Sequence, residues 1–558
     1  MRPHGGDHVT GAVSGRQRVC FPVERRGREI LGAIEREFEI AAQRPGRRRQ
    51  PLELRRESGI TYIRAHRRAT GTTMAGVTDV ALLSNFVGGR WVPSSAAVHV
   101  DVRNPARGVV IARTPLSTGA DLDSAVKAAT EAFRGWSETP PVIRARAMFR
   151  FRQLLDDHFE ELARIVTTEH GKTLDEARGS VRRGIECVEV ACGAPSLLMG
   201  YGLENVAPGL DCQVMRQAIG VCAVIAPFNF PAMVPLWFLP FAVACGNTFI
   251  LKPSEQVPLS QQRIFELLEK CDLPPGVVNL VHGGREVAEA ICEHPGIRAV
   301  SFVGSTAVAR AVYQRATHAG KRVQALGGAK NFIVVMPDAD LDRAIPTISE
   351  SFFGCAGERC LAGSVLLPVG AAHVPARDRL VESARALRVG DGLEPGTDMG
   401  PVISARHRER VLSYVDLGLA EGASLALDGR VRALPSEGFF VGPTVFDRVS
   451  PETRLGREEI FGPVATVCPV RDLDEAFRIM DAHPNANATS IFTSSGKMAR
   501  EFAHRATASM VGVNIGVAAP MAYFPFGGAR DSFFGDLKVH GRDAFAFYSD
   551  QKVTMARW

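Results

Sequence analysis

The 558-residue chain lacks any run of 18 or more consecutive apolar residues, so the sequence does not predict a membrane-spanning helix. The longest apolar stretches, around residues 231–245, contain several prolines and are predicted to be buried helix. A Cys-x-x-Cys pair and a His/Cys cluster with zinc-ligand spacing are also missing. The 11 cysteines are scattered, which argues against a disulfide framework and a structural metal. We therefore expect a reducing compartment: the cytoplasm, or the mitochondrial matrix if the source is eukaryotic.

Positive charge is concentrated at the beginning of the chain. Residues 1–73 contain 16 Arg, no Lys and 8 Asp or Glu, whereas the whole chain has a net charge of +6. The rest of the chain is therefore slightly acidic, and a basic surface for nucleic acid is not expected there. Residues 1–80 are predicted to be an Arg-rich extension.

Three interpretations of this extension remain open. It is a disordered tail, a targeting peptide, or a segment outside the working protein, with Met74 as a natural start. The acidic residues are atypical of a targeting peptide, so we favour the first and third interpretations.

The length of the chain exceeds what one hydrophobic core serves, and two or three domains are expected. Between about residues 205 and 330, short runs rich in Val and Ile alternate with longer helical stretches, which predicts a doubly wound α/β sheet. Ligands are expected at the carboxyl ends of its strands. The predicted strands lie in GVCAVIAP (220–227), NTFILKP (247–253), VVNLVHG (277–283), IRAVSFVG (297–304) and RVQALGG (322–328).

A second series of apolar runs predicts a second α/β domain. It includes NFIVVMP (331–337), a helix near 341–355 and GSVLLPV (363–369), followed by FFVGPTVFD, ATVCPV and TSIFTSS. The chain ends in FAFYSDQKVTMAR, a predicted strand. Pairing of this strand with DCQVMRQAI, an earlier segment, would suit an oligomerisation arm.

The stretch CAGERC, residues 355–360, follows the first helix of this second domain and contains a candidate nucleophile. A thiolate is a strong nucleophile, and the neighbouring glycines let the backbone approach a substrate closely. Cys360 is the candidate, and the alternative is a small buried apolar side chain. Cys355 is interpreted as a packing residue on the preceding helix.

Asn229 lies in APFNFP, directly after the first strand of the doubly wound sheet. Aromatic residues and prolines flank it, so its amide is expected to be held rigidly and to suit an oxyanion. The alternative is a turn asparagine that bonds its own backbone.

Residues after the next strands suggest a nucleotide site. Lys252 and Glu255 follow the second strand, where an acidic residue usually binds ribose hydroxyls. The motif G-x-G-x-x-G is absent, but Gly304 and Ser305 in FVGST open a helix and give a weaker phosphate signal.

Seven motifs, taken together, point to one family. APFNFP, ILKPSE, FVGST, LGGAKN, GERC, EEIFGPV and FPFGG occur in this order over about 300 residues. From about residue 84 to the end, the sequence resembles the aldehyde dehydrogenase superfamily. The runs GSVRRGIECVEVACGAPSLLMG, APFNFPAMVPLWFLPFAVACGNTFILKPSE, GERCLA and DSFFGD are most similar to CoA-acylating methylmalonate-semialdehyde dehydrogenases.

The resemblance implies an α/β fold with three parts. A Rossmann-type NAD-binding domain would comprise residues 84–205 and 221–330, and an α/β catalytic domain would comprise residues 331–530. A β oligomerisation arm would comprise residues 206–220 and 540–558. A homotetramer or a dimer is implied, with no nucleic-acid or membrane partner.

The resemblance also assigns roles to single residues. Cys360 would be the nucleophile and Asn229 the oxyanion amide. Arg183 and Arg359 would bind the substrate carboxylate, because a guanidinium meets a carboxylate bidentately. The NAD contacts implied are Ala226, Phe228, Lys252, Glu255, Gln256, Ser305, Gly327 and Glu459.

Some of these roles have open alternatives. Arg183 alone would also fit a solvated helix face, and Arg359 a structural salt bridge, for instance with Glu358. Gln256 and Ala309 depart from the Arg and Gly that many relatives carry, which bears on the affinity for NAD.

One catalytic glutamate of the aldehyde dehydrogenase superfamily is absent from this sequence. Hydrolytic members carry a glutamate four positions before the Lys of E-L-G-G-K, where it activates water, and this chain has Leu326 four positions before Lys330. Leucine cannot accept a proton, whereas coenzyme A ionises readily and attacks thioesters well.

The expected reaction is therefore NAD-dependent oxidative decarboxylation of methylmalonate or malonate semialdehyde with CoA, in valine or inositol catabolism. A hydrolytic enzyme with a relocated carboxylate is the first alternative. A non-catalytic scaffold, or a nucleic-acid binder that uses residues 1–73, is the second.

Overall fold

The computed structural model describes residues 53–57, 60–64 and 80–558. The chain divides into two units, Met1–Thr78 and Asp79–Trp558. In the first unit, strand Glu53–Glu57 pairs antiparallel with strand Ile60–Arg64. The other residues of the predicted Arg-rich extension, up to residue 79, lie outside the described residues.

An eight-stranded sheet confirms the doubly wound fold predicted from the Val- and Ile-rich runs. Its central strands Val221–Ile225 and Thr248–Lys252 are parallel and wholly buried, which agrees with their mainly apolar sequences. The strand order is Phe533–Phe534, Arg322–Leu326, Ile297–Val303, Val221–Ile225, Thr248–Lys252, Val278–Leu280, Asn85–Val87 and Arg90–Val92. The order in which the chain adds strands changes direction at Val221–Ile225: the next two strands lie on one side of it and the later ones on the other. A ligand crevice is therefore expected beyond the carboxyl end of this strand.

A seven-stranded sheet forms the second α/β layer. Its strands are parallel except for Ser424–Leu427, which is antiparallel to its neighbour at one edge. The strand order is Ser424–Leu427, Thr444–Asp447, Val464–Val467, Gly363–Pro368, Asn331–Val335, Ala488–Phe492 and Met510–Val513. The predicted strands and the predicted helix after residue 341 are present in it.

Helices cover the faces of the two sheets. The helices before residue 260 are Gly119–Glu138, Pro141–Asp157, Phe159–His170, Leu174–Cys192, Ala194–Leu197, Met233–Leu236, Leu239–Ala244 and Leu259–Leu268. The later ones are Arg285–Glu293, Thr306–His318, Leu341–Phe353, His373–Ala386, Ala405–Ala420, Arg454–Arg457, Leu473–Ala482, Gly496–Arg505 and Gly541–Phe547. Short 3₁₀ turns are Gly354–Gly357, Gly370–Ala372 and Gly429–Val431. In the part of the chain that the structure describes, no helix is long and apolar enough to cross a membrane.

The C-terminal strand pairs as its sequence suggests. Ser549–Arg557 runs antiparallel to Leu210–Ala218, whose other neighbour is Tyr201–Ala207. Most side chains of the two outer strands are exposed. Two further strand pairs are small: His99–Arg103 with Val110–Pro115, and Asn485–Ala486 with Ala529–Arg530. The use of the three-stranded arm in oligomerisation stays a prediction.

The helix Leu174–Cys192 links the fold to the candidate site. Thr173 caps it: its hydroxyl accepts from the Glu176 N–H, while the Glu176 carboxylate accepts from the Thr173 N–H. Buried residues at helical spacing, including Val181 and Ile185, attach one face to the core. The other face carries Glu176 and Arg183 toward a cavity.

Candidate active site

Two cavities meet at Cys360. The first has a volume of about 660 Å³ and is bordered by Arg183, Arg359 and the aromatic side chains Phe230 and Trp237. The second has a volume of about 920 Å³ and lies beyond the carboxyl ends of the doubly wound strands. Cys360 lines both. A nucleophile at this position would be reached from two separate cavities.

The turn before Cys360 has an unusual backbone. Helix Leu341–Phe353 ends first, and Cys355, Ala356 and Gly357 then adopt φ values of 49°, 51° and 74°. Left-handed conformations are costly for residues other than glycine and are often retained at functional sites. The interpretation of Cys355 as a residue on the preceding helix is therefore wrong. It lies in this strained turn and lines the 660 Å³ cavity.

Long-range hydrogen bonds hold the turn in place. The Cys355 N–H donates to Glu176 Oε1 at 2.6 Å. Asn331 and Asn487 donate their side-chain amides to the Cys360 carbonyl at 3.0 and 2.9 Å. Sequence reasoning missed these three supports, because nothing in CAGERC indicates which distant polar residues meet it.

The surroundings of the Cys360 thiol favour its protonated form. Burial raises its pKa to about 12, and the nearby negative charge of Glu459 acts in the same direction. Backbone N–H groups of Cys360 and Leu361 and the Arg359 cation oppose the rise without reversing it. A nucleophilic role for Cys360 would therefore require that its thiol lose a proton before it attacks.

Asn229 follows strand Val221–Ile225 and is buried beside the turn that precedes Cys360. Its Nδ2 donates to the backbone carbonyl of Glu358 at 3.0 Å. Its own backbone carbonyl accepts from Lys172 Nζ at 2.7 Å. Of the interpretations open at the sequence level, the turn asparagine that bonds its own backbone does not describe this residue.

Arg183 borders the 660 Å³ cavity from helix Leu174–Cys192. Its guanidinium donates to Glu186 at 3.0 Å and to the carbonyls of Ala519 and Pro520 at 3.1 and 3.2 Å. These contacts fix the guanidinium at the cavity wall, where a carboxylate can reach it. Substrate binding by Arg183 stays a prediction.

Arg359 also borders this cavity, but it has a carboxylate partner already. Its Nη2 lies 3.1 Å from Glu176 and its Nη1 lies 3.4 Å from Glu350. The salt bridge considered for Arg359 therefore exists with these two residues. Glu358, the partner suggested from the sequence, is fully buried elsewhere, accepts from the Ile403 N–H at 3.2 Å, and has a pKa raised well above its usual range by burial.

All eight predicted cofactor residues line the 920 Å³ cavity. They are Ala226, Phe228, Lys252, Glu255, Gln256, Ser305, Gly327 and Glu459. Their common position is the crevice at the ends of the doubly wound strands, although they come from five separate segments of the sequence.

The polar groups of this cavity fit a dinucleotide. Lys252 Nζ lies 3.5 Å from Glu255, so the two provide a donor and an acceptor for sugar hydroxyls at the end of their strand. Ser305 precedes helix Thr306–His318, whose first N–H groups suit a phosphate. NAD binding by these particular residues stays a prediction.

Leu326 is buried at the end of its strand and borders neither cavity. Glu459 is the carboxylate that shares the 920 Å³ cavity and interacts electrostatically with Cys360. Its Oε1 accepts from the Ala329 N–H at 3.0 Å, and burial raises its pKa to about 7. A carboxylate with this pKa can exchange a proton near neutral pH.

Comparison with known proteins identifies the family. The sequence model of the family described as "Aldehyde dehydrogenase family" matches residues 91–554 of this chain. The chain belongs to the aldehyde dehydrogenase family. This assignment confirms the resemblance drawn from the seven motifs.

Curated relatives of the family are similar over nearly their whole length. The malonate-semialdehyde dehydrogenase 1 of Geobacillus thermodenitrificans is 49% identical over 482 residues, which cover 86% of this chain and 100% of the relative. A malonate-semialdehyde dehydrogenase of Halalkalibacterium halodurans is 47% identical, with 87% and 100% covered.

Solved structures with methylmalonate-semialdehyde dehydrogenase names share the fold. One from Sinorhizobium meliloti 1021, complexed with NAD, has a TM-score of 0.85 and 42% identity, covering 86% of this chain and 99% of that one. One from Oceanimonas doudoroffii has a TM-score of 0.84 and 44% identity, with the same coverage.

Proposed function

We propose that this aldehyde dehydrogenase catalyses the NAD-dependent oxidative decarboxylation of methylmalonate semialdehyde, and of malonate semialdehyde, with CoA. The products would be propionyl-CoA or acetyl-CoA, CO₂ and NADH. The observation that carries the proposal is the position of Cys360 between the two cavities. The names of the curated and structural relatives support the substrate class. Such a reaction would belong to valine or inositol catabolism.

The chemistry begins with attack of the Cys360 thiolate on the semialdehyde carbonyl. The Asn229 amide and the Cys360 backbone N–H would stabilise the oxyanion. NAD, when bound in the 920 Å³ cavity, supplies the acceptor for the hydride that leaves the tetrahedral carbon. An acyl thioester on Cys360 remains.

The acyl group then loses CO₂ and leaves the cysteine. Its carboxylate lies β to the thioester carbonyl, so the electron pair from the broken C–C bond is delocalised onto the thioester and the carbon is then protonated. The CoA thiolate attacks the remaining thioester and releases the Cys360 thiolate. Leucine at position 326 leaves water without the base that hydrolytic relatives use.

Recognition of the substrate carboxylate is assigned to Arg183 and Arg359, which border the same cavity as Cys360. Both guanidiniums have protein partners, so a substrate carboxylate would join existing ion pairs. A guanidinium has five N–H donors, so it can donate to a substrate carboxylate while it keeps its protein partners.

A second candidate is a hydrolytic aldehyde dehydrogenase that releases a free acid. The observation that favours it is Glu459, a half-buried carboxylate with a pKa raised to about 7 in the cavity that Cys360 borders. Glu459 would replace the missing glutamate at position 326 as the base for water.

The three-stranded arm is proposed to join subunits into a dimer or a homotetramer. Its outer strands have exposed edges, and Leu203, Val553 and Met555 are exposed apolar residues on them. An unpaired strand edge with apolar side chains favours pairing with another chain.

The test of the proposed reaction is product analysis. The purified chain is given methylmalonate semialdehyde labelled with ¹³C in the carboxyl group, together with NAD and CoA. We expect unlabelled propionyl-CoA by mass spectrometry and the label in CO₂, and none of either from Cys360→Ala. A labelled free acid as the product would instead support the hydrolytic candidate.

A further inference from the structure

A buried lysine lies beside the oxyanion amide. Lys172 is about 1% exposed and directly precedes the capped helix Leu174–Cys192. Its Nζ donates to the Asn229 backbone carbonyl at 2.7 Å and lies 3.9 Å from the centre of the Phe230 ring. Both partners belong to APFNFP, the segment that carries the proposed oxyanion donor.

Burial of this ammonium is unfavourable on its own. A charged amine loses its hydration in the protein interior, and burial lowers the pKa of Lys172. Among the described residues, no carboxylate lies within ion-pair distance of its Nζ, so its contacts are the Asn229 carbonyl and the Phe230 ring. An apolar side chain of similar length would fill the space without this cost, which suggests that the position of Asn229 depends on the hydrogen bond.

The two ends of Asn229 are fixed by different parts of the chain. Lys172 holds its backbone carbonyl, and the Glu358 carbonyl accepts one hydrogen of its side-chain amide. An amide nitrogen carries two hydrogens, so one N–H stays available for a substrate oxygen. The direction of this N–H is set by both contacts together.

The segment around Lys172 is itself tightly constrained. Gly171 has a φ of 94°, and a Cβ there would lie 2.7 Å from Pro401. A Cβ on Gly392 would lie 2.4 Å from the Lys172 carbonyl. Four residues after Lys172, Glu176 accepts from the Cys355 N–H. The short segment 172–176 therefore contacts both APFNFP, which contains Asn229, and the turn that precedes Cys360.

We propose that Lys172 is a positioning residue that holds the Asn229 backbone so that its second amide N–H meets the developing oxyanion at Cys360. This inference rests on the proposed function, in which Asn229 stabilises that oxyanion. Lys172 acts through Asn229 and does not touch the reacting atoms.

The test is a double-mutant cycle on the first turnover. NADH formation in a single turnover is measured with methylmalonate semialdehyde for the unmutated chain, Lys172→Met, Asn229→Ala and the double variant. Removal of an oxyanion donor typically costs about 10²–10³-fold in rate, and mispositioning is expected to cost about 10–100-fold. We expect Lys172→Met to lower the single-turnover rate about 10–100-fold with little change in KM. In the background of Asn229→Ala, the same substitution should lower the rate by less than about threefold.

Lys172→Arg keeps a cationic donor and should restore part of the rate, which a loss of packing alone would not explain. If Lys172→Met does not fold, Lys172→Gln replaces it in the same cycle. An unchanged rate for Lys172→Met, or an equal loss with and without Asn229, would overturn the inference. The assay needs no CoA, so only the absence of NADH from the unmutated chain would overturn the proposed oxidation and the inference together.

Discussion

The Arg359 guanidinium lies 3.1 Å from the Glu176 carboxylate, and the two side chains are only 12% and 13% exposed. The same Glu176 oxygen accepts from the Cys355 N–H at 2.6 Å. The residue assigned to substrate recognition is therefore tied to the helix Leu174–Cys192 and, through Glu176, to the turn that presents Cys360. Arg359 has a structural contact in addition to the recognition proposed for it.

Glu176→Gln should destabilise the protein and slow the reaction. The variant removes the closer and more buried of the two carboxylates that pair with Arg359, and breaking a buried ion pair typically costs about 3–5 kcal/mol. We expect a lower thermal unfolding temperature and a lower first-turnover rate. The matched control is Glu452→Gln, which makes the same chemical change at a side chain that is 79% exposed and borders neither cavity, and it should change neither. Equal stability of the two variants would contradict the role given to the ion pair.

Arg183→Leu should impair binding of acidic substrates selectively. A hydrogen bond to a charged group contributes about 1.5–3 kcal/mol, so KM for methylmalonate semialdehyde is expected to rise about 10–100-fold. Propanal, which has no carboxylate, should be oxidised as before. The control is Arg178→Leu on the same helix, because Arg178 pairs with Glu160 and Asp175 and does not itself border the cavity. A similar loss for both aldehydes would exclude carboxylate recognition.

Alkylation of Cys360 should be slow at neutral pH and accelerate with rising pH. Its pKa is raised to about 12, so the thiolate fraction in the free enzyme grows about tenfold per pH unit below that value. The rate of inactivation by iodoacetamide between pH 7 and 9.5 measures this fraction. Labelling of Cys360→Ala gives the background from the other thiols. A rate that levels off near pH 8 would show that the resting thiol is far more acidic.

Leu326→Glu should give the enzyme a route that does not need CoA. The new carboxylate would stand four positions before Lys330, as the base of the hydrolytic relatives does, and next to Gly327, which lines the 920 Å³ cavity. We expect slow continuous NADH formation without CoA, together with some loss of stability, because the position is buried. Leu326→Met, which adds no proton acceptor, should show neither effect. No hydrolytic turnover in a folded Leu326→Glu variant would weaken the reason given for CoA.

The sequence predicts much of the fold because its signals are local. The Val- and Ile-rich runs correctly place the parallel strands, and the motifs after them correctly gather at the ends of those strands. The pairing of the chain end with Leu210–Ala218 is likewise present. Each strand is encoded within its own short segment, whereas the pairing of the chain end joins two segments far apart in the sequence and was expected because such an arm would suit oligomerisation.

Contacts between distant residues could not be predicted in this way. Glu176 and Arg359 are 183 positions apart, and Lys172 and Asn229 are 57 apart. The sequence suggested Glu358 for Arg359 only because the two are adjacent, whereas the left-handed turn directs Glu358 into the interior. The partner of a charged side chain depends on the packing of helices that its own segment does not encode.

The central claim is that CoA, and not water, releases the acyl group from Cys360. NADH formation with methylmalonate semialdehyde and NAD, measured with and without CoA, tests it most directly. The account predicts about one NADH per active site without CoA and continuous turnover once CoA is added. Full continuous turnover without CoA would contradict it.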